Sequence, residues 1–210
     1  EQFPTIQFLR TVPMLSLVRF ARWEEILAEP EPNEPFAFAR AIWRYGRGVA
    51  HAAMGDAEGA LVELAAIEGL EPKVDEIFMG NVYPARDLLE IAKALLRGER
   101  AYRSDDAASA VLAFEEAVAL QDALPYTEPP FWYYPTRQSL GAALLATNRL
   151  AEAQAVFEED LEQYPMNGWS MFGLAEALRR QGDETGAEQM TARFETVWQF
   201  ADVSLATSIL

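Results

Sequence analysis

Few residues in this chain could do covalent chemistry. His51 is the sole histidine. It stands three residues after Gly48, on a helix face turned toward a neighbouring helix. It reads as a partly buried packing residue rather than a general base or a metal ligand. The carboxylates Glu158, Glu159 and Asp160 are adjacent, so on a helix they point in different directions. They read as a solvated face, and no metal site is expected. Ser104, Ser109, Thr136 and Ser139 have no histidine near enough in sequence to activate them, which argues against a hydrolase triad. No glycine-rich phosphate loop is present. The chain has no cysteine, which excludes disulfides, thiolate catalysis and cysteine-ligated metals. The expectation is a protein that is not an enzyme, with no catalytic residue and no cofactor.

Two constellations point instead to recognition. Tyr83-Pro84-Ala85-Arg86 and Tyr134-Pro135-Thr136-Arg137 share one local pattern, and each stands at the start of an expected helix. The plainer reading is a reused helix start, with the tyrosine and the arginine stem packed between helices. The alternative is a pair of anion-recognising arginines. Phe131, Trp132, Tyr133 and Tyr134 form an aromatic run after two prolines. Such a run packs an insertion, or holds a proline-rich peptide or a ring. Tyr83, Arg86, Trp132, Tyr134 and Arg137 are therefore a secondary candidate site.

Composition narrows the partners. The 210 residues are half hydrophobic and 24% charged, as in an ordinary globular chain. No apolar run reaches the roughly 20 residues that span a bilayer. The formal net charge is −16. Nucleic acids and anionic membrane surfaces are recognised mainly through basic residues, so neither is an expected partner. A basic or neutral protein or peptide fits better. The first residue is Glu1 rather than Met, which predicts a processed chain or part of a longer one. The compartment stays open between the cytoplasm and export after signal removal.

The elements that must position these residues are helices. Residues 1–35 read as a degenerate helix pair, with Pro13 starting or kinking the first helix, followed by a proline-rich linker, EPEPNEP. Residues 36–200 read as four helix hairpins, with insertions near 73–90 and 123–131, and residues 201–210 as a tail. Breakers at Gly55-Asp56, Ser104-Asp105-Asp106, Asn148 and Gly182-Asp183 divide the helices. Pro129, Pro130 and Pro135 suit helix starts. An irregular stretch around residue 78 carries an apolar patch at Ile77, Phe78 and Met79. The apolar residues near Phe3–Leu17 need a neighbour to cover them.

The hairpins share a register. Gly48 and Ala60, Gly98 and Ala110, Gly141 and Ala153, and Ala175 and Ala187 are each 12 residues apart. Gly55, Asp105, Asn148 and Gly182 each lie seven residues after the first member of their pair. Leu64, Phe114, Phe157 and Thr191 lie four after the second. Small residues let two helices approach, and the large one fills the gap to the next hairpin. No such hairpin buries its face alone, so neighbours stack.

This register resembles the tetratricopeptide repeat (TPR) family over about Arg40–Val197, most strongly over Tyr134–Phe194. Leu140-Gly141, Leu144, Ala153, Phe157 and Pro165 match the family's large and small positions. Only the step from Gly141 to Ala175 has the family's 34-residue length. Asp160 stands where the family usually has alanine, and Thr191 where it has a large apolar residue. The runs EPPFWYYPTRQSLGAALL and YPMNGWSMFGLAEALRRQG look similar to the C-terminal part of longer bacterial TPR proteins.

The resemblance implies an all-α, right-handed superhelix of stacked hairpins, whose concave face is lined by first helices and receives a protein segment. By the register that face comprises Tyr45, Leu95, Glu99, Gln138, Ala142, Trp169, Phe172 and Glu176, facing away from the partner helices. The competing occupant of Trp169 and Phe172 is the chain's own tail, Val203 to Leu210. The competing function is a structural or regulatory part of a larger enzyme or sensor, with a small-molecule pocket or intramolecular interface at the aromatic insertions.

Overall fold

The computed structural model describes residues 5–33, 36–74 and 83–209. The expected apolar patch at Ile77, Phe78 and Met79 lies outside the described residues, as do Phe3 and Pro35. The described elements are helices: α1 (Thr5–Arg19), α2 (Trp23–Ala28), α3 (Ala37–Ala53), α4 (Ala57–Leu70), α5 (Ala85–Arg103), α6 (Ala107–Asp122), α7 (Arg137–Ala146), α8 (Leu150–Gln163), α9 (Gly168–Gln181) and α10 (Glu184–Trp198). A single 3-10 turn, Glu71–Lys73, follows α4. No strand occurs among the described residues. The chain divides into two compact units, Glu1–Tyr134 and Pro135–Leu210.

The turn residues show why the hairpins form. Gly55, Asp105, Asn148 and Gly182 all have positive φ, from 59° to 85°. Glycine reaches this left-handed region without cost, and Asn and Asp tolerate it best among the others. In three of the four turns the next residue is an aspartate that caps the following helix. Asp56, Asp106 and Asp183 accept from the backbone N–H of Gly59, Ser109 and Gly186, a bond that typically contributes about 1 kcal/mol. Ala21 also has positive φ, at 52°, and joins α1 to α2. Pro13 lies inside α1 rather than starting it.

In the first unit α1 packs on α3, α3 on α4 and α5, and α5 on α6. A Cβ at Gly48 would collide with Leu96, and one at Gly98 with the Phe114 ring. In the second unit α8 lies between α7 and α9, and α10 pairs with α9. Phe157, fully buried on α8, is clamped from two sides: a Cβ at Gly141 of α7 or at Gly173 of α9 would strike its ring. One aromatic side chain thus joins two hairpins, and glycine on each gives it room.

Two local expectations change. The helix expected to start among Pro129, Pro130 and Pro135 begins at Arg137, and residues 124–136 are irregular. Asp160 is not part of a solvated face: it is fully buried. Its Oδ2 accepts from Asn167 Nδ2 at 2.7 Å and from Ser170 Oγ at 2.5 Å. Asn167 in turn caps α9, accepting from the Trp169 N–H. Where the TPR pattern has alanine, a buried carboxylate instead ties α8 to the start of α9.

Candidate functional site

The candidate residues of the first unit lie on α3 and α5 and are closed over. Tyr45 is 1% exposed, Leu95 0% and Glu99 6%. The segment 123–134 leads out of α6, and its residues 131–134 pack against α3 and Tyr83 as a strap. Trp132 is buried, with its ring 5.5 Å from that of Tyr45. The Tyr45 and Tyr133 hydroxyls share a 3.1 Å hydrogen bond. Phe131 sets its ring edge-on to Tyr83, which also meets Phe38 and Phe8. The Arg19 guanidinium sits 5.5 Å from the centre of the Tyr134 ring, and Gln121 donates to the Tyr134 carbonyl.

Electrostatics follow from that closure. Burial pushes the Tyr45 and Tyr133 hydroxyls well above the ordinary phenol range and raises that of Tyr83. Burial also raises the Glu99 carboxyl to about 7, against the pull of Arg103. Arg103 Nε stands 3.5 Å from Glu99 Oε2. The nearby arginines of α3 are spent on the chain's own carboxylates. Arg44 and Arg47 bind the buried Glu63 at 3.0 and 2.7 Å, and Arg40 and Arg44 bind Glu31. Those contacts, led by the Arg40 hydrogen bond, lower the Glu31 pKa. His51 bonds the capping Asp56 through Nδ1 at 2.9 Å.

The repeated Tyr-Pro-x-Arg pattern is used structurally at both sites. Tyr83 is buried, and Arg86 donates to the Val74 carbonyl at 3.3 Å. Arg137, 6% exposed, pairs with Glu159 at 2.8 Å.

The second unit is arranged differently. Trp169 and Phe172 are part-exposed, but they do not face away from their partner helix. Trp169 meets Trp198 edge-on at 4.7 Å, and Phe172 meets Phe194 at 5.6 Å. Phe194 stacks on Trp198 at 5.3 Å. In an antiparallel hairpin the start of α9 lies beside the end of α10, so these four rings form one cluster. Gly168 makes room for it, since a Cβ there would press on the Trp198 indole. Glu176 pairs with Arg179 at 2.9 Å.

Gln138 and Ala142 of α7 are buried, and the tail reaches this helix. Trp198 Nε1 donates to the Val203 carbonyl at 2.8 Å. Ser208 Oγ donates to the Gln138 carbonyl at 3.1 Å. Ser208 and Ile209 are 1% and 5% exposed. Non-helical chain thus lies on a first helix of the array, at a position where a ligand was expected.

Among the described residues no group of three or more His, Asp or Glu could hold a metal ion. No described helix is long and apolar enough to cross a membrane.

No family model and no curated protein matches the chain. A solved structure does: the crystal structure of a Podosopora anserina kinesin light chain with nearly identical TPR-like repeats. It is 14% identical, with a TM-score of 0.53 over 97% of this chain and 100% of that one. At that identity the likeness concerns the fold alone. The fold is TPR-like, a helical repeat.

Proposed function

We propose that this protein is a binding scaffold that receives a protein or peptide segment on the first-helix face of its second unit. One observation carries the reading: a non-helical segment already meets α7, with Ser208 donating to the Gln138 carbonyl and both Ser208 and Ile209 buried. The face therefore accommodates non-helical polypeptide. Trp169, Phe172 and Glu176 are the part-exposed anchors of this reading, and Gln138 and Ala142 form its floor. Tyr45, Leu95 and Glu99 belong to the same register but are buried, Tyr45 against the strap. Large aromatic residues dominate binding hot spots because they bury much area for little entropy. With a chain charge of −16, the favoured segment is basic or neutral. The likeness to the C-terminal part of longer bacterial TPR proteins belongs to this proposal and rests on the two sequence runs alone.

The test is a peptide library screened against the full chain, followed by Trp169→Ala and Glu176→Lys. Each substitution is expected to weaken the selected peptides by more than about 1 kcal/mol, the usual mark of an interface anchor. Smaller changes in both would contradict the assignment.

A second reading has its own observation. The strap's contacts with Tyr45 and Tyr83 form an intramolecular interface at the aromatic insertion. A regulatory part of a larger enzyme or sensor would use such a contact. A catalytic or sensory domain in the full gene product would favour it.

A further inference from the structure

We infer that the C-terminal segment is a resident ligand of the second unit, and that a binding partner must displace it with a segment of the same chemistry: a hydroxyl residue followed directly by an aliphatic one. The inference rests on the peptide-binding reading and adds to it a specificity and a gate.

Two observations carry it. First, the seat is specific although the segment is not a regular element. Ser208 supplies the polar contact with the seat, its Oγ donating to the Gln138 carbonyl at 3.1 Å, while Thr207 Oγ1 shapes the segment itself by donating to the Ile209 carbonyl at 3.0 Å. Ile209 is buried while Ala206, three residues earlier, is exposed. The hydroxyl and the aliphatic side chain are the features recognised.

Second, the segment is tied down sparsely along its length. Phe200 is 92% exposed and Val203 42%. Between Trp198 and Ser208 the indole bond to Val203 and the Ala201 N–H bond to the Trp198 carbonyl hold its start. A segment with mostly exposed chain between its bonded ends detaches locally without unfolding the helices beneath.

The tail has the advantage of being tethered. A short flexible tether gives an effective concentration in the millimolar range, so a free segment of equal intrinsic affinity competes poorly. Its apparent affinity falls by the fraction of molecules whose seat is open. The gate therefore rejects weak, generic segments.

The chain has no cysteine, so a fluorophore on Ala206→Cys reports on the tail alone. The probes are a synthetic copy of residues 202–210 and a peptide selected from the library against the full-length Ile209→Asp chain. The copy should bind that released chain at least tenfold more tightly than the unchanged chain. Changing its serine or its isoleucine to aspartate should abolish binding. In the unlabelled-tail control the helix content is checked by circular dichroism. The selected peptide should lower the anisotropy of the label in the otherwise unchanged chain. Equal binding to released and unchanged chains overturns the gate. So does peptide binding that leaves the anisotropy unaltered, a readout that needs no tail-weakening variant. If library peptides bind both chains equally, the scaffold reading stands and the gate falls. If none binds either chain, both fall.

Discussion

The two units cover their first helices in different ways. In the first, the strap is an internal segment: α6 holds one end, and its aromatic residues 131–134 are sewn to Tyr83, Tyr45 and Arg19. In the second, the cover is the segment that follows α10, bonded to it through Trp198 and Val203 and seated at Ser208 and Ile209. Similar placement on a repeat scaffold yields different physics. A cover anchored by a large buried ring, Trp132, is part of the core. A cover with exposed chain between its bonded points is, on the inference above, exchangeable. The comparison teaches that burial of a candidate binding residue has two meanings, and that the covering segment distinguishes them.

The largest expected effect is on the strap. Trp132→Ala should lower stability in urea unfolding by about 3–5 kcal/mol, the usual cost of emptying an aromatic core site. A near-neutral result would make the strap as exchangeable as the tail.

Next comes the pH dependence of the first unit. Glu99 has its carboxyl raised from 4.5 to about 7 in the folded state, so the folded form binds the extra proton. Stability from this group is full below pH 4.5 and declines as pH rises to about 7. The total is on the order of 3 kcal/mol at most. Glu99→Gln should flatten that slope and stabilise the protein above pH 7. Denaturation midpoints measured from pH 4 to 8 check this, and an unchanged slope would refute it.

Gly141→Leu should destabilise the second unit by about 1–3 kcal/mol or more, because the added side chain meets the Phe157 ring. Asp160→Ala should cost a similar or smaller amount, about 1–3 kcal/mol, by stranding Asn167 and Ser170. Thermal melts of both variants give the comparison. The smallest effect is expected for Ile209→Ala. It should change global unfolding by less than about 1 kcal/mol, since the tail detaches locally first. A loss as large as that of Trp132→Ala would erase the difference between the two covers.

Much of the scaffold was legible in the sequence, because its cause is local. Gly55, Asp105, Asn148 and Gly182 are the residue types that reach positive φ, and each does. The glycines at 98 and 141 meet the phenylalanines that the register set beside them. What escaped depends on contacts distant in sequence. Asp160 reads as surface from its neighbours Glu158 and Glu159; its burial follows from Asn167 and Ser170 on the next helix. The strap's hold on Tyr45 joins residues 88 positions apart, beyond any periodicity. The ring cluster of α9 and α10 did have a signal. Trp169 and Phe172 precede the turn residue Asp183 by 14 and 11 positions, and Trp198 and Phe194 follow it by 15 and 11. Counting outward from the turn pairs them across the hairpin.

The central claim is that a partner segment seats on the first helices of the second unit and not on those of the first. Hydrogen exchange with and without a saturating library peptide tests it most directly. The account predicts slowed exchange over α7 and α9 and faster exchange over residues 203–209, with α3 and α5 unchanged. Protection confined to α3 and α5, with α7 and α9 unaltered, would contradict it.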